Sequence, residues 1–205
     1  MNKNNPRSTR NEKKEQTHRH LIDVALKLSS ERSFSSLSLR EVAAGAGITA
    51  AGFYRHFHDM EELGLVLVDE VGLSLRRLLR EARKRVNPGP QAIASSIESF
   101  LDFIRENGNL FRLLLGERQG ASVVFRKAIY SEMDRFISEL AIDLERLQQS
   151  TGKQLRDPNL AAEAIVAVVF TVGAEALDLP RHKHSGIAQR LAEEVKMILR
   201  GSLKK

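Results

Sequence analysis

The apolar positions recur mainly at intervals of three and four residues, the spacing of an α-helix with one buried face. Leu21, Ala25 and Leu28 form such a stripe and predict a first helix from about residue 12 to residue 30. The longest stripe predicts a helix that begins beyond residue 120 and carries Phe125, Ile129, Met133, Phe136, Leu140, Leu144 and Leu147. No segment alternates with the period of a strand. We therefore predict an all-α fold of about nine helices.

Helix caps divide the first third of the chain into short elements. Ser38 with Glu41 three residues later is a capping box, which predicts a helix that ends near residues 45–47. Thr49 is a suitable cap for a second short helix through about Phe57. Asp59 is a third cap, for a long helix that ends near residue 86, before the breaker Asn-Pro-Gly-Pro at 87–90.

The remaining chain is predicted to form further helices separated by glycine and proline. They cover about residues 90–107 and 110–115, then the long stripe already described, then 160–179, which is apolar nearly all round. A polar loop is predicted at 180–186, followed by a last helix that ends near residue 201. This order predicts two domains, one over residues 1–58 and a larger one over residues 59–205.

Composition excludes several classes of protein. The chain has 42% hydrophobic and 28% charged residues and no cysteine, so thiolate metal sites, disulfides and cysteine nucleophiles are excluded. The longest charge-free run, residues 42–54, is shorter than the roughly 18 residues of a membrane span. With no apolar segment near the start, we expect no secretory signal and a cytoplasmic location. No metal site, cofactor or catalytic constellation is expected, so an enzyme is not predicted.

The positive charge lies near the start of the chain. Residues 1–57 carry a net charge of +5 out of a total of +6. Within this basic segment, two short helices are joined by a glycine-bearing turn at residues 44–48, which is typical of a helix-turn-helix motif. Basic charge combined with this motif indicates binding to duplex DNA.

The same segment carries a specific family signature: Leu-Arg-Glu-Val-Ala at 39–43, Ala-Gly-Ile-Thr at 46–49, Phe-Tyr-Arg-His-Phe at 53–57 and Glu-Glu-Leu at 61–63. It closely resembles the DNA-binding domain of TetR-family repressors. The resemblance implies a helical homodimer on a roughly palindromic operator. It also implies that residues 1–58 form the DNA-binding domain and residues 59–205 the ligand-binding and dimerisation domain. Many members carry a lysine at the start of the fourth helix, where this chain has Met60, so the phosphate contact would pass to Arg40, Tyr54 or helix amides.

Segments of the body resemble a narrower group, the repressors of unsaturated fatty acid synthesis or desaturation that sense long-chain acyl-CoA. These segments are Phe-Arg-Leu-Leu-Leu at 111–115, Glu-Arg at 117–118, Phe-Arg at 125–126 and Gly-Ala-Glu-Ala-Leu-Asp at 173–178. The resemblance implies a long-chain acyl-CoA effector. The alternatives are a repressor of drug efflux with a polyspecific pocket and an all-α acyl-CoA-binding enzyme.

Candidate DNA contacts are the basic and small residues around the second short helix. Small alanines allow close approach to bases, arginine pairs with guanine, and Gly52 indicates a close approach within the helix. The candidates are Arg10, Lys13, Lys14, Arg40, Thr49, Ala50, Ala51, Tyr54, Arg55 and His56.

Candidate effector contacts combine apolar walls with cations for an acyl-CoA head group. They are Phe100, Phe103, Phe111, Leu114, Arg112, Arg118, Phe125, Ile129, Phe136, Val169, Phe170 and Gly173, with the basic run 76–85 as an alternative head-group site. The last two helices offer an apolar dimer face, predicted to be Val168, Val172, Leu191, Val195 and Ile198.

Overall fold

The computed structural model describes residues 6–84 and 90–204, with side chains except at 6–9, 83, 84, 90 and 181. This part of the chain forms nine α-helices and no strand, so the all-α prediction is confirmed. The helices are α1 Pro6–Ser29, α2 Leu39–Gly45, α3 Ala50–Phe53, α4 Met60–Lys84, α5 Pro90–Glu106, α6 Gly108–Arg118, α7 Val123–Thr151, α8 Pro158–Gly173 and α9 His184–Gly201. Short 3₁₀ turns lie at Phe34–Ser36, Ala174–Leu177 and Arg181–Lys183.

Several predicted boundaries are wrong where apolar periodicity is missing. Helix α1 begins at Pro6 rather than near residue 12. The sequence did not indicate this start, because the first turns of the helix are polar and carry no apolar stripe. Helix α6 extends over Gly108–Arg118, beyond the predicted 110–115. The predicted loop at 180–186 is instead a 3₁₀ turn followed by the start of α9. The predicted end of α4 near Val86 lies outside the described residues.

The chain separates into two compact units, each assembled from two segments. The first contains the residues up to Glu70 together with Arg112–Ile129. The second contains Val71–Phe111 and Tyr130–Lys205. Helices α4, α6 and α7 each contribute residues to both units. The predicted single division after residue 58 stays a prediction.

The first unit is built on the packing of α1 against α2 and of α2 against α3. Leu21, Val42 and Phe53 are fully buried at its centre. An edge-to-face contact between Phe34 and Phe125, with ring centroids 5.3 Å apart, joins the turn after α1 to the start of α7. Burial of these side chains removes apolar surface from water and positions the short helices α2 and α3.

The second unit is built on α5, α8 and α9, which pack on one another. Helix α8 begins cleanly because the Asp157 carboxylate accepts the Leu160 backbone N–H at 3.0 Å and Pro158 occupies the first turn. The segment Pro158–Leu177 is long and apolar enough to cross a membrane by length and composition. A core helix has the same composition, and α8 buries Ala162, Ile165 and Phe170 within this unit.

Candidate functional site

The capping box at the start of α2 forms as predicted. The Ser38 hydroxyl accepts the Glu41 backbone N–H at 3.3 Å, and the Glu41 carboxylate accepts the Ser38 backbone N–H at 2.9 Å. Arg32 also pairs with this carboxylate. The hydrogen bond from Arg32, followed by those from Ser38, lowers the pKa of Glu41 to about 2. These contacts fix where α2 begins relative to the end of α1.

The turn between α2 and α3 requires a glycine. Gly47 has a φ of +69°, in the left-handed region that favours glycine. The Thr49 hydroxyl then caps α3 by accepting the Gly52 backbone N–H at 3.1 Å. A Cβ at Gly52 would lie 3.3 Å from the Ile48 Cβ. The close approach predicted for Gly52 is therefore an approach to Ile48, in the turn that precedes α3. The geometry is that of a helix-turn-helix.

Helix α3 is shorter than predicted, because it ends at Phe53 rather than Phe57. After it, the chain turns through bonds to the third preceding residue, such as the His56 N–H to the Phe53 carbonyl at 2.8 Å. Phe53 and Phe57 are buried, as their four-residue spacing indicates. The Tyr54 side chain is 62% exposed, which excludes a core role for it.

Most candidate DNA contacts lie on the surface of the first unit. The exposed side chains are Arg10, Lys13, Lys14, Arg40, Thr49, Ala51, Tyr54 and Arg55, while Ala50 and His56 are partly buried. The basic residues predicted to form an arm belong to α1. The Arg7 side chain lies outside the described residues. Contact with DNA by any of these residues stays a prediction.

His56 lies in the turn that follows α3 and connects this turn to α1. Its ring centroid lies 6.1 Å from that of His18, and the His18 ring stacks on Phe57 at 4.4 Å. The His56 Nδ1 atom is buried without a hydrogen-bond partner. Burial, then the positive charges of His18, Lys14 and Arg55, lower the pKa of His56. The lowered pKa favours the neutral form of the His56 ring, which lies beside His18.

The second unit contains a cavity of about 260 Å³. Its walls come from α4, α5, α7, α8 and α9 and are apolar over most of their area. The lining includes Ile93, Ile97, Phe100, Phe136, Leu140, Leu144, Val166, Val169, Phe170, Val195 and Leu199. The lining also includes the polar side chains of Arg76, Ser96, Glu139, Asp143 and Arg146. An apolar cavity with few polar groups is typical of a small-molecule site.

The structure brings together only some of the residues predicted to bind an effector. Phe100, Phe136, Val169 and Phe170 line the cavity. Phe111 packs behind this wall, with its ring centroid 5.6 Å from that of Phe170. Gly173 is required nearby, because a Cβ there would lie 2.5 Å from the Phe100 ring.

The other predicted effector residues do not line the cavity. Phe103 is buried in the second unit outside the lining. Arg112, Leu114, Arg118, Phe125 and Ile129 belong to the first unit and are not among the residues that line this cavity. Contact of these residues with an effector stays a prediction. Their helical stripes indicated burial but not the neighbours that bury them.

A cluster of ion pairs forms the polar side of the cavity. The Arg76 guanidinium is 8% exposed and pairs with Glu132, whose side chain is 10% exposed. Arg76 Nε also lies 3.7 Å from the Glu139 carboxylate, which accepts a hydrogen bond from Arg80 at 2.8 Å. In the basic run 76–85, the side chains of Arg83 and Lys84 lie outside the described part of the chain, and so does the whole of Arg85.

Both parts of the chain match family models. Residues 21–65 match the model described as bacterial regulatory proteins, tetR family. Residues 90–198, more than half of the chain, match the tetracyclin repressor-like C-terminal domain. The chain belongs to the TetR family. TetR regulators bind operator DNA, act as dimers, respond to small-molecule effectors and are not enzymes.

Solved TetR-type structures share the fold. The fatty acid degradation regulator FadR from Bacillus halodurans is 14% identical, with a TM-score of 0.70 over 89% of this chain and 94% of that chain. AibR, solved with isovaleryl coenzyme A and operator DNA, is 15% identical, with a TM-score of 0.66 over 89% and 98%. SmeT, solved with triclosan, is 20% identical, with a TM-score of 0.71 over 93% of each chain.

The residues predicted to form the TetR dimer face need correction. Leu191 is fully buried and Val195 is 4% exposed, so both lie inside the protomer. Val168, Val172 and Ile198 remain partly exposed. The apolar side chains most exposed on α8 and α9 are instead Leu160, at 63%, and Met197, at 67%.

Glu117 is a buried carboxylate in the first unit of this TetR protein, and the sequence did not indicate a role for it. It is 1% exposed. Its Oε1 atom accepts hydrogen bonds from the Ser33 hydroxyl at 2.7 Å and the Ser35 backbone N–H at 3.1 Å, and its Oε2 atom accepts the Ser35 hydroxyl at 2.5 Å. A Cβ at Gly120 would lie 2.7 Å from Oε2. Glu117 therefore holds the connection between α1 and α2 in place.

Proposed function

We propose that this TetR-family protein is a transcriptional repressor of fatty acid metabolism genes whose effector is an acyl-CoA thioester. The acyl chain would lie in the cavity of the second unit, and the coenzyme A moiety would remain outside. The observation that carries the proposal is the cavity itself, whose lining includes the aromatic residues Phe100, Phe136 and Phe170 together with arginines.

The cavity can take up the apolar part of an acyl chain. It has a volume of about 260 Å³ and walls from five helices that are mostly apolar. Burial of each methylene contributes about 0.8 kcal/mol before ordering costs, so such a chain supplies ample binding free energy.

The polar side of the cavity offers a place for the head group. Arg80 and Arg146 are more than half exposed there, and phosphates bind favourably to exposed guanidinium groups. Of the head-group sites predicted from the sequence, the basic run that begins at Arg76 is the one that adjoins the cavity.

Two structural neighbours support this class of effector. One is a fatty acid degradation regulator, and another was solved with isovaleryl coenzyme A. The narrower expectation, that the target genes serve unsaturated fatty acid synthesis or desaturation, rests on the resemblance of residues 111–118 and 173–178 to such repressors. A cytoplasmic location is expected for a soluble regulator of this kind.

Operator recognition would use α3 and the residues that follow it, in the major groove. Thr49 and Arg55 would read bases, while Arg40 and Tyr54 would hold phosphates. A homodimer through the exposed apolar face of α8 and α9, which includes Leu160 and Met197, would present two such segments to a roughly palindromic operator. Effector binding would shift the equilibrium between conformations that do and do not fit the operator.

The second candidate is a repressor of drug efflux that binds uncharged apolar compounds. This candidate is favoured by the ion pairing of Arg76 and Arg146, two cations that line the cavity. A structural neighbour, SmeT, was solved with triclosan. Such a repressor would respond to apolar drugs and be insensitive to acyl-CoA.

The test is the affinity of the full-length protein for an operator duplex obtained by selection from random DNA. Palmitoyl-CoA, oleoyl-CoA, octanoyl-CoA and free coenzyme A are compared at matched concentrations, with triclosan as a fifth arm. We expect at least one acyl-CoA to change the operator affinity about 5- to 150-fold relative to free coenzyme A. Equal affinities in the coenzyme A arms with a response to triclosan would replace the acyl-CoA proposal with the efflux alternative.

A further inference from the structure

We infer that the cavity selects an uncharged acyl group over a carboxylate and that Glu139 determines this selection. The inference deepens the proposed function, because it specifies which chemical form of an acyl chain enters the cavity. A thioester or amide would be accepted, whereas a free fatty acid anion would be rejected.

The buried cation at the cavity is already compensated. Arg76 pairs with Glu132 and lies near Glu139, and its guanidinium carbon sits 5.8 Å from the centroid of the Phe136 ring. Arg135 adds a second cation to Glu132 at 2.5 Å from the more exposed side. An entering anion would therefore have to compete with two carboxylates for Arg76.

The charged side chains that line the cavity are paired within the described part of the chain. Among the described residues, Arg76 and Arg146 are the lining cations, and Glu139 and Asp143 are the lining anions. Arg146 lies 3.2 Å from Asp143 in an ion pair on the same helix. A ligand carboxylate held at this wall would lose its hydration and would meet the carboxylates of Glu139 and Asp143 as well as the arginines.

Glu139 is the member of the cluster whose replacement tests the inference most cleanly. Its carboxylate lies at the cavity lining, accepts a hydrogen bond from Arg80 and faces Arg76 Nε. Its side chain is only partly buried, unlike that of Glu132, so an amide at this position is tolerated by the fold. Glu139→Gln would remove the carboxylate that accepts from Arg80 and faces Arg76 Nε, so a ligand anion could take its place, while Arg76 would keep its ion pair with Glu132.

The experiment compares octanamide with octanoate, which have the same shape and differ in charge at pH 7. Calorimetric titration of the full-length protein measures the dissociation constant of each. We expect octanamide to bind at least about 100-fold more tightly than octanoate, since an uncompensated buried charge is strongly disfavoured. In Glu139→Gln this ratio should fall about tenfold, while the exposed Glu145→Gln on the same helix should leave it unchanged.

Circular dichroism of each variant confirms that its helices are retained. Binding of octanoate within threefold of octanamide would overturn the inference, and so would the absence of binding by both compounds. An unchanged ratio in Glu139→Gln would overturn the role of Glu139. Failure of the acyl-CoA proposal is separate: octanamide would still be preferred over octanoate, but octanoyl-CoA would neither bind nor alter operator affinity.

Discussion

Replacement of Glu117 should lower the free energy of unfolding of the first unit, by an amount that follows from its contacts. Glu117→Ala leaves the Ser35 backbone N–H without its acceptor, together with two serine hydroxyls that can partly reorient. Hydrogen bonds to a charged group contribute about 1.5–3 kcal/mol to stability, and the cavity left by the buried Glu117 side chain adds to the cost. We expect a loss of about 2–4 kcal/mol. For a chain of this size, each kcal/mol lowers Tm by about 2–4 °C.

Glu117→Gln separates hydrogen bonding from charge. The amide oxygen can still accept hydrogen bonds from Ser33 and from the Ser35 backbone. The Glu117→Gln variant should therefore lose about 1–2 kcal/mol of stability, less than the Glu117→Ala variant. Thermal unfolding followed by circular dichroism gives both values, with Glu145→Ala as the exposed control. A Glu117→Ala variant within 1 °C of the parent, or a glutamine variant as unstable as the alanine variant, would refute the proposed role of the carboxylate.

Three further predictions concern stability and assembly. The lowered pKa of Glu41 contributes stability that is present above about pH 4.5 and lost as the pH falls towards 2; Glu41→Gln should remove this dependence in acid unfolding titrations. Gly64→Ala should cost about 1–3 kcal/mol in urea unfolding, because its Cβ would overlap the Phe125 ring; a neutral result would contradict that packing. Val195→Asp should unfold the second unit, whereas Met197→Asp should keep the fold and weaken the dimer in sedimentation experiments; a Met197→Asp dimer of unchanged affinity would exclude that face.

The helix-turn-helix could be predicted from sequence because its determinants are local. Ser38 and Glu41 are three residues apart, Thr49 caps the next helix, and Gly47 occupies the turn between them. Each of these preferences depends on backbone geometry within one turn of helix. Only the length of α3 was wrong, because the apolar spacing of Phe53 and Phe57 continues through a turn that is no longer helical.

The cavity could be predicted only in part, because its members meet through tertiary packing. Of the aromatic residues predicted for an apolar site, Phe100, Phe136 and Phe170 line the cavity, whereas Phe103 and Phe125 do not. The stripe of Leu191 and Val195 indicated a buried face, but a stripe does not distinguish burial within a protomer from burial against a second copy. The partners of Arg76 and Glu117 lie 56 and more than 80 residues away in sequence, beyond any local pattern.

The salt dependence of operator binding tests the central claim most directly. Fluorescence anisotropy of a selected duplex is measured between 50 and 200 mM salt for the parent and for Arg40→Ala. If the dimer makes about six to ten phosphate contacts, the affinity should fall about 10³- to 10⁵-fold over this range, with a shallower slope for Arg40→Ala. A slope near zero, or identical slopes for the two proteins, would contradict the assignment of the α2–α3 surface to DNA.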